Sequence, residues 1–171
     1  VYNRRAKQMR TVRTKVYQFD ELSEQAKKKA IEWGAELNVD YEWWDFFYDD
    51  AKNIGLKISG FDIDRGNDCT GEFTCAANEV AANIFAHHGE TCETYKTAKK
   101  FMSEWEPVFA SYMDENSEDY ESGDCEDKLN ELVRLEADFL QELLEDYLIM
   151  LRDEYEYRRS EDAIIETIKA N

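Results

Sequence analysis

The stretch EDKLNELVRLEADFLQELLEDYLIMLRDEYEY, Glu126 to Tyr157, decides the fold class. At 100° per residue, Leu129, Leu132, Val133, Ala137, Phe139, Leu140, Leu143, Leu144, Tyr147, Leu148, Met150, Leu151 and Tyr155 fall on one half of a helical wheel. Asp127, Glu131, Asp138, Glu142, Glu145, Asp146, Asp153 and Glu156 form a narrower stripe opposite. An apolar half-wheel is wider than a coiled-coil seam, so this helix must pack against several neighbours. The rest of the chain has to supply them.

Immediately upstream, Asp114 to Asp127 is a strongly acidic polar loop. Before it, Tyr95, Ala98, Met102, Trp105, Phe109 and Tyr112 keep one helical stripe across Pro107, the only proline, which predicts a single kinked helix from Thr91 to Met113. Further back the period changes. Leu56, Ile58, Phe61 and Ile63 alternate as a strand over Leu56 to Asp64, Gly66 to Asp68 supply a turn, and Thr70 to Cys75 return as a second strand of a hairpin. A helix over Ala77 to His88 follows, ending at Gly89.

Two helices are expected before the hairpin. Ser23 caps the first, which runs to Leu37 with Leu22, Ala26, Ala30, Trp33 and Leu37 as its stripe. Asp40 caps the second, Tyr41 to Asn53, which Gly55 stops; Trp43, Trp44, Phe47, Ala51 and Ile54 read as its core stripe rather than as a ligand-stacking box. Thr11 to Phe19 alternates enough for a first strand, and Ser160 caps a last short helix. The expected architecture is α+β, mostly helical: a small N-terminal helix and β-hairpin unit packed with long C-terminal antiparallel helices. One domain over 9–171 is expected, with a mixed part over 11–89 and an acidic helical part over 91–171. Residues 1–8 read as an upstream segment, with Met9 as the natural start.

Composition places the chain among folded proteins, with 43% apolar and 13% aromatic residues despite 35% charged ones. Its 171 residues suffice to bury roughly two thirds of the unfolded surface. Charge is unevenly spread: Val1 to Lys15 holds six basic residues and no acid, whereas residues 101–171 hold 6 Lys/Arg against 22 Asp/Glu, most of the overall −18. Such a field repels nucleic acid and membrane surfaces and attracts basic proteins. The cysteines Cys69, Cys75, Cys92 and Cys125 without a leading apolar segment point to a reducing cytoplasm, and no apolar run is long enough to span a membrane.

Three constellations are candidates for chemistry. Asp62 and Asp64 share a strand face and Asp68 follows, a set that with His87 or His88 would suit a divalent cation, but no further catalytic partner is legible. Cys69, Cys75, His87, His88 and Cys92 lie close in sequence, yet without the tight C-x(2–4)-C knuckle of a structural zinc site. No metal or cofactor is expected from either. The third is the acidic stripe, from which Glu131, Asp138, Glu142, Glu145, Asp146, Asp153 and Glu156 are expected to bind a partner. Ordinary solvated faces mix Lys with Glu, and this one carries almost no base.

The segments KVYQFDELSEQAKKKAIEW (Lys15 to Trp33), DYEWWDFFYDDAKNIGLKISGFDIDRG (Asp40 to Gly66) and HGETCETYKTAKKF (His88 to Phe101) resemble a family of uncharacterised proteins encoded by tailed bacteriophages and prophages. Some members are labelled antitoxins of a toxin–antitoxin stability system. The resemblance runs from Met9 to the end and implies a bacterial cytoplasm. With the charge pattern it leads to a non-enzymatic protein that binds a basic surface of a host protein, as a DNA-mimic-like inhibitor of host defence or as an antitoxin. A metal-dependent hydrolase or nuclease built on Asp62, Asp64 and Asp68 is the alternative.

Overall fold

The structure is a computed structural model that describes residues 12–114 and 124–170. It is mostly helical with one two-stranded antiparallel sheet, the α+β class the periodicities predict. After a 3-10 turn at Phe19–Glu21 the elements are α1 (Glu24–Leu37), α2 (Asp45–Ile54), β1 (Leu56–Asp62), β2 (Asp68–Phe73), α3 (Ala77–His87), α4 (Glu93–Met113), α5 (Asp124–Arg158) and α6 (Glu161–Ala170). They fall into two compact units, Tyr41–Tyr157 and the described residues before and after it. The hairpin, α2 and α3 thus share a unit with α4 and most of α5, while α1 is grouped with α6.

In the larger unit α4 and α5 run antiparallel, as Thr97 bonds Asp146, Lys100 pairs with Glu142, and Trp105 Nε1 donates to Glu136 Oε1 at 3.2 Å. Between them Phe101 and Phe139 stack at 4.2 Å, and Phe73 brings β2 to the same ring at 5.4 Å. Ala51, Ile54, Leu56, Val80, Ala81, Ile84, Ala98, Leu143 and Tyr147 are fully buried around this contact. Leu56 lies opposite Phe73 and Asp62 opposite Asp68, with a bulge between Ile58 and Gly60. The hairpin can lie on α5 because Gly71 has no side chain. A Cβ there would sit 2.6 Å from Lys57 O and 3.0 Å from Leu144 Cδ2.

The smaller unit is built on another close approach. A Cβ on Gly34 of α1 would meet Ile164 Cγ2 of α6 at 2.6 Å, so the two helices touch backbone to side chain. Ser23 caps α1 as expected, accepting from Ala26 N at 3.3 Å, and the buried Asn38 donates its amide to Arg158 O at 2.9 Å. The expected α1 stripe is displaced. Gly34 is buried, whereas Trp33 and Leu37 are 63% and 41% exposed, because close helix approach selects the small residue over the large ones.

Four other expectations are corrected. Residues 12–18 form no strand, and Val12, Val16 and Tyr17 are exposed (Thr11 lies outside the described residues). Asp40 does not cap α2, which starts at Asp45. A tight turn, Trp43 N to Tyr41 O at 2.7 Å, instead inserts Trp43 among Trp44, Phe61 and Tyr155 at 5.6–5.9 Å, and burying that ring outweighs one more helical turn. The strand expected to reach Asp64 ends at Asp62, whose carboxylate turns the chain, so the pairing is shifted and β2 begins at Asp68. The loop expected over Asp114 to Asp127 is helical from Asp124; its residues 115–123 lie outside the described ones. Of the stripe expected to be core, Trp43, Ala51 and Ile54 are buried and Trp44 and Phe47 half-buried, whereas Phe46 of the same aromatic run is 74% exposed; α4 continues through Pro107.

Candidate functional site

The long helix α5 is unevenly covered. Along its C-terminal half the apolar face is buried at Leu143, Leu144, Tyr147, Leu148 and Leu151. Towards the N-terminus only the side facing α4 is buried, at Leu132, Leu135 and Phe139. The adjoining apolar positions Leu129 and Val133 are 46% and 59% exposed, and Ala137 is exposed beside them. Among the described residues these are the members of the predicted apolar half-wheel that stay exposed. Between the hairpin turn at Asn67–Cys69 and α5 at Leu140, Leu144 and Leu148 the row runs into a groove of about 330 Å³.

The acidic stripe divides into two groups. Glu131, Asp138, Glu145, Asp153 and Glu156 are exposed along α5, and the first to the last of these span about 37 Å at a helical rise of about 1.5 Å per residue. Glu142 and Asp146 are half-buried and turned towards α4, where Glu142 is engaged by Lys100 and Asp146 accepts from Thr97 Oγ1 at 2.8 Å. Burial raises the carboxyl of Asp146 above its ordinary range; the Thr97 bond opposes that, and the nearby Glu93, Glu142 and Glu145 add to it. Along the exposed group, Arg134 lies 4.0 Å from Glu131 and Gln141 donates to Glu145 at 3.0 Å. Arg152, further along, bonds Asn67 of the hairpin turn.

The aspartates expected to bind a metal are occupied differently. Asp62 accepts from the backbone N–H groups of Asp64 and Arg65 at 2.9 Å and of Gly66 at 3.0 Å, and these bonds hold its carboxyl below the ordinary range. The lone pairs a cation would use thus organise the turn. Among the described residues no group of three or more His, Cys, Asp or Glu is placed to hold a metal ion. The cysteines are free thiols. Burial, and then Asp68, push the Cys69 thiol up to about 11, away from thiolate chemistry.

One constellation escaped the sequence reading. His88, at the end of α3, places Nδ1 2.7 Å from Thr94 Oγ1 of α4 and Nε2 3.6 Å from Asp50 Oδ1 of α2, while Tyr147 of α5 donates its hydroxyl to Asp50 Oδ2 at 2.7 Å. Four helices of the unit meet in one polar chain. A carboxylate beside Nε2 favours the tautomer protonated there, so Nδ1 accepts from Thr94. At 3.6 Å the His88–Asp50 contact is longer than a hydrogen bond, and Nε2 has no hydrogen-bond partner. The histidine nevertheless dominates the lowering of the Asp50 carboxyl, with Tyr147 helping and partial burial opposing. Burial, and then Asp50, raise the Tyr147 phenol.

A threonine, a histidine and an aspartate in series have the composition of a nucleophilic relay, but the access does not fit. Thr94 is 3% exposed and Tyr147 fully buried, so a substrate cannot reach the hydroxyl in this arrangement. The chain is a tie between helices. In sequence its members are spread from Asp50 to Tyr147, and only the pair of His87 and His88 at a helix end hinted at it.

Comparison with protein-family models, with curated proteins and with solved structures finds no match. No helix among the described residues is long and apolar enough to cross a membrane.

Proposed function

We propose that the chain is a non-enzymatic interaction protein of phage type that binds a basic surface of a host protein in the bacterial cytoplasm. The observation that carries this reading is the row of exposed carboxylates Glu131, Asp138, Glu145, Asp153 and Glu156 on one continuous helix, α5. A negative ridge some 37 Å long offers a basic surface several simultaneous contacts, as a nucleic-acid backbone does. Inhibition of a nucleic-acid-binding host defence protein by DNA mimicry and neutralisation of a basic toxin both follow from that chemistry. The resemblance to phage and prophage proteins supports the setting.

The test is recovery of a partner from bacterial lysate across a salt series, repeated with Glu131→Gln, Asp138→Asn, Glu145→Gln and Asp153→Asn combined. The expected partner is basic, elutes as salt rises, and is lost by the variant, whose melting temperature holds within the effect of about 0.5 kcal/mol usual for surface changes. Recovery of the same partner by the neutralised variant at low salt would overturn the reading. The metal-hydrolase alternative built on Asp62, Asp64 and Asp68 has no supporting geometry and is not carried forward.

A further inference from the structure

We infer that the partner's contact element is an amphipathic helix with Lys or Arg along one edge, and that it seats its apolar face on the exposed Leu129, Val133 and Ala137 of α5 and the half-buried Leu140 that continues their row. This rests on the proposed binding of a basic partner and names the shape and chemistry that partner must present. Leu129 and Val133 are 46% and 59% exposed although they belong to the apolar half of the wheel, and the row leads into the groove between the hairpin turn and Leu144. Apolar positions recurring every three or four residues on a helix match the spacing of another helix face.

Charge selects the occupant. From Asp124 to Arg158, α5 carries twelve Asp or Glu against four Lys or Arg, and Glu131, Asp138 and Glu145 are exposed about a quarter to a third of a turn beyond Ala137, the edge of the row nearest to them. Of the four bases, Arg134 lies beside Glu131 and Arg152 bonds Asn67. A second copy of this chain would bring another −18 against that surface. A helix whose apolar stripe is edged with Lys or Arg satisfies both features together. Apolar contact gives the complex its lifetime, and the carboxylates favour encounter and orientation.

The probe is a synthetic 18-residue peptide of Leu and Lys with its leucines on one helical face, beside a scrambled peptide of identical composition. Binding of each to the full chain is read by fluorescence anisotropy, for the parent, for Leu129→Gln with Val133→Gln, and for Glu131→Gln with Asp138→Asn and Glu145→Gln. Both target groups are exposed, so the fold is expected to survive, and far-ultraviolet circular dichroism checks that it does. The amphipathic peptide should bind more tightly than the scramble, and the apolar variant should weaken it by about tenfold or more while changing the scramble by less than about twofold. The carboxylate variant should weaken both. If the two peptides bind alike and the apolar variant changes neither, the row is not a docking face, and the charge-based reading stands without it. If neither peptide binds at low salt, both readings fall. Dimerisation of the parent, seen by sedimentation and abolished by Leu129→Gln with Val133→Gln, would overturn the inference by making a second copy the occupant.

Discussion

The two halves of α5 carry the same pattern and meet different fates. From Leu143 to Leu151 the apolar face is buried at Leu143, Leu144, Tyr147, Leu148 and Leu151, whereas from Leu129 to Ala137 only the side towards α4 is buried among the described residues. Hydrophobic periodicity states which residues prefer burial but says nothing about whether a neighbour exists to bury them. Where the hairpin lies on the helix the preference is met; beyond it the same preference becomes a surface.

Removing one side chain from each half is the sharpest way to break that comparison. Leu143→Ala, at a fully buried site, is expected to cost about 2–5 kcal/mol and to lower the melting temperature steeply in a thermal scan. Val133→Ala, at a site more than half exposed, should stay within about 0.5 kcal/mol. Equal losses would mean that the N-terminal half of the helix is covered after all.

Smaller effects probe how the covered half is tied. Tyr147→Phe removes the hydroxyl that donates to Asp50 and should cost about 1 kcal/mol. It should also flatten the acid limb of stability. Because the folded Asp50 carboxyl lies below its ordinary value, its contribution is present above about pH 4 and is lost as pH falls through the lowered value. Chemical unfolding at pH 7 and at pH 3 measures both effects, and an unchanged acid limb in the variant would remove Tyr147 from the explanation.

The smallest change has the opposite sign. Asp146 is raised by burial, so its contribution to stability is complete below the ordinary carboxylate range and is lost as pH rises through the raised value. Asp146→Asn should therefore match the parent at pH 3 and equal or exceed it at pH 7, by no more than about 0.5 kcal/mol after solvent screening. A destabilised variant at pH 7 would show that the bond from Thr97 outweighs the burial of charge.

Much of the fold was legible because its signals are local. Ser23 as a cap, Gly55 as a stop at φ 91°, the alternation of Leu56 and Ile58, and the stripe running through Pro107 each arise from backbone preferences and side-chain period within a few residues. The failures share a different cause. Trp33 and Leu37 keep helical spacing, yet the α1 to α6 contact is made through Gly34, because the partner helix approaches too closely for a large side chain. Thr11 to Phe19 has strand-like alternation, yet residues 12–18 form no strand, since alternation by itself supplies none of the backbone partners a strand needs. Asp62 and Asp64 looked like a cation pair because strand spacing ignores the turn amides that claim Asp62.

The sequence by itself determined the helical class, the hairpin, the concentration of negative charge after residue 100 and the acidic stripe of α5, since composition and period need no partner to be read. Only the tertiary structure decided which carboxylates remain in water. Glu142 and Asp146 are turned to α4 while Glu131, Asp138 and Glu145 stay exposed, and His88, Thr94, Asp50 and Tyr147 meet from four separate helices. Those outcomes depend on contacts between residues distant in the chain, which are set by the fit of whole faces rather than by the spacing along any one of them.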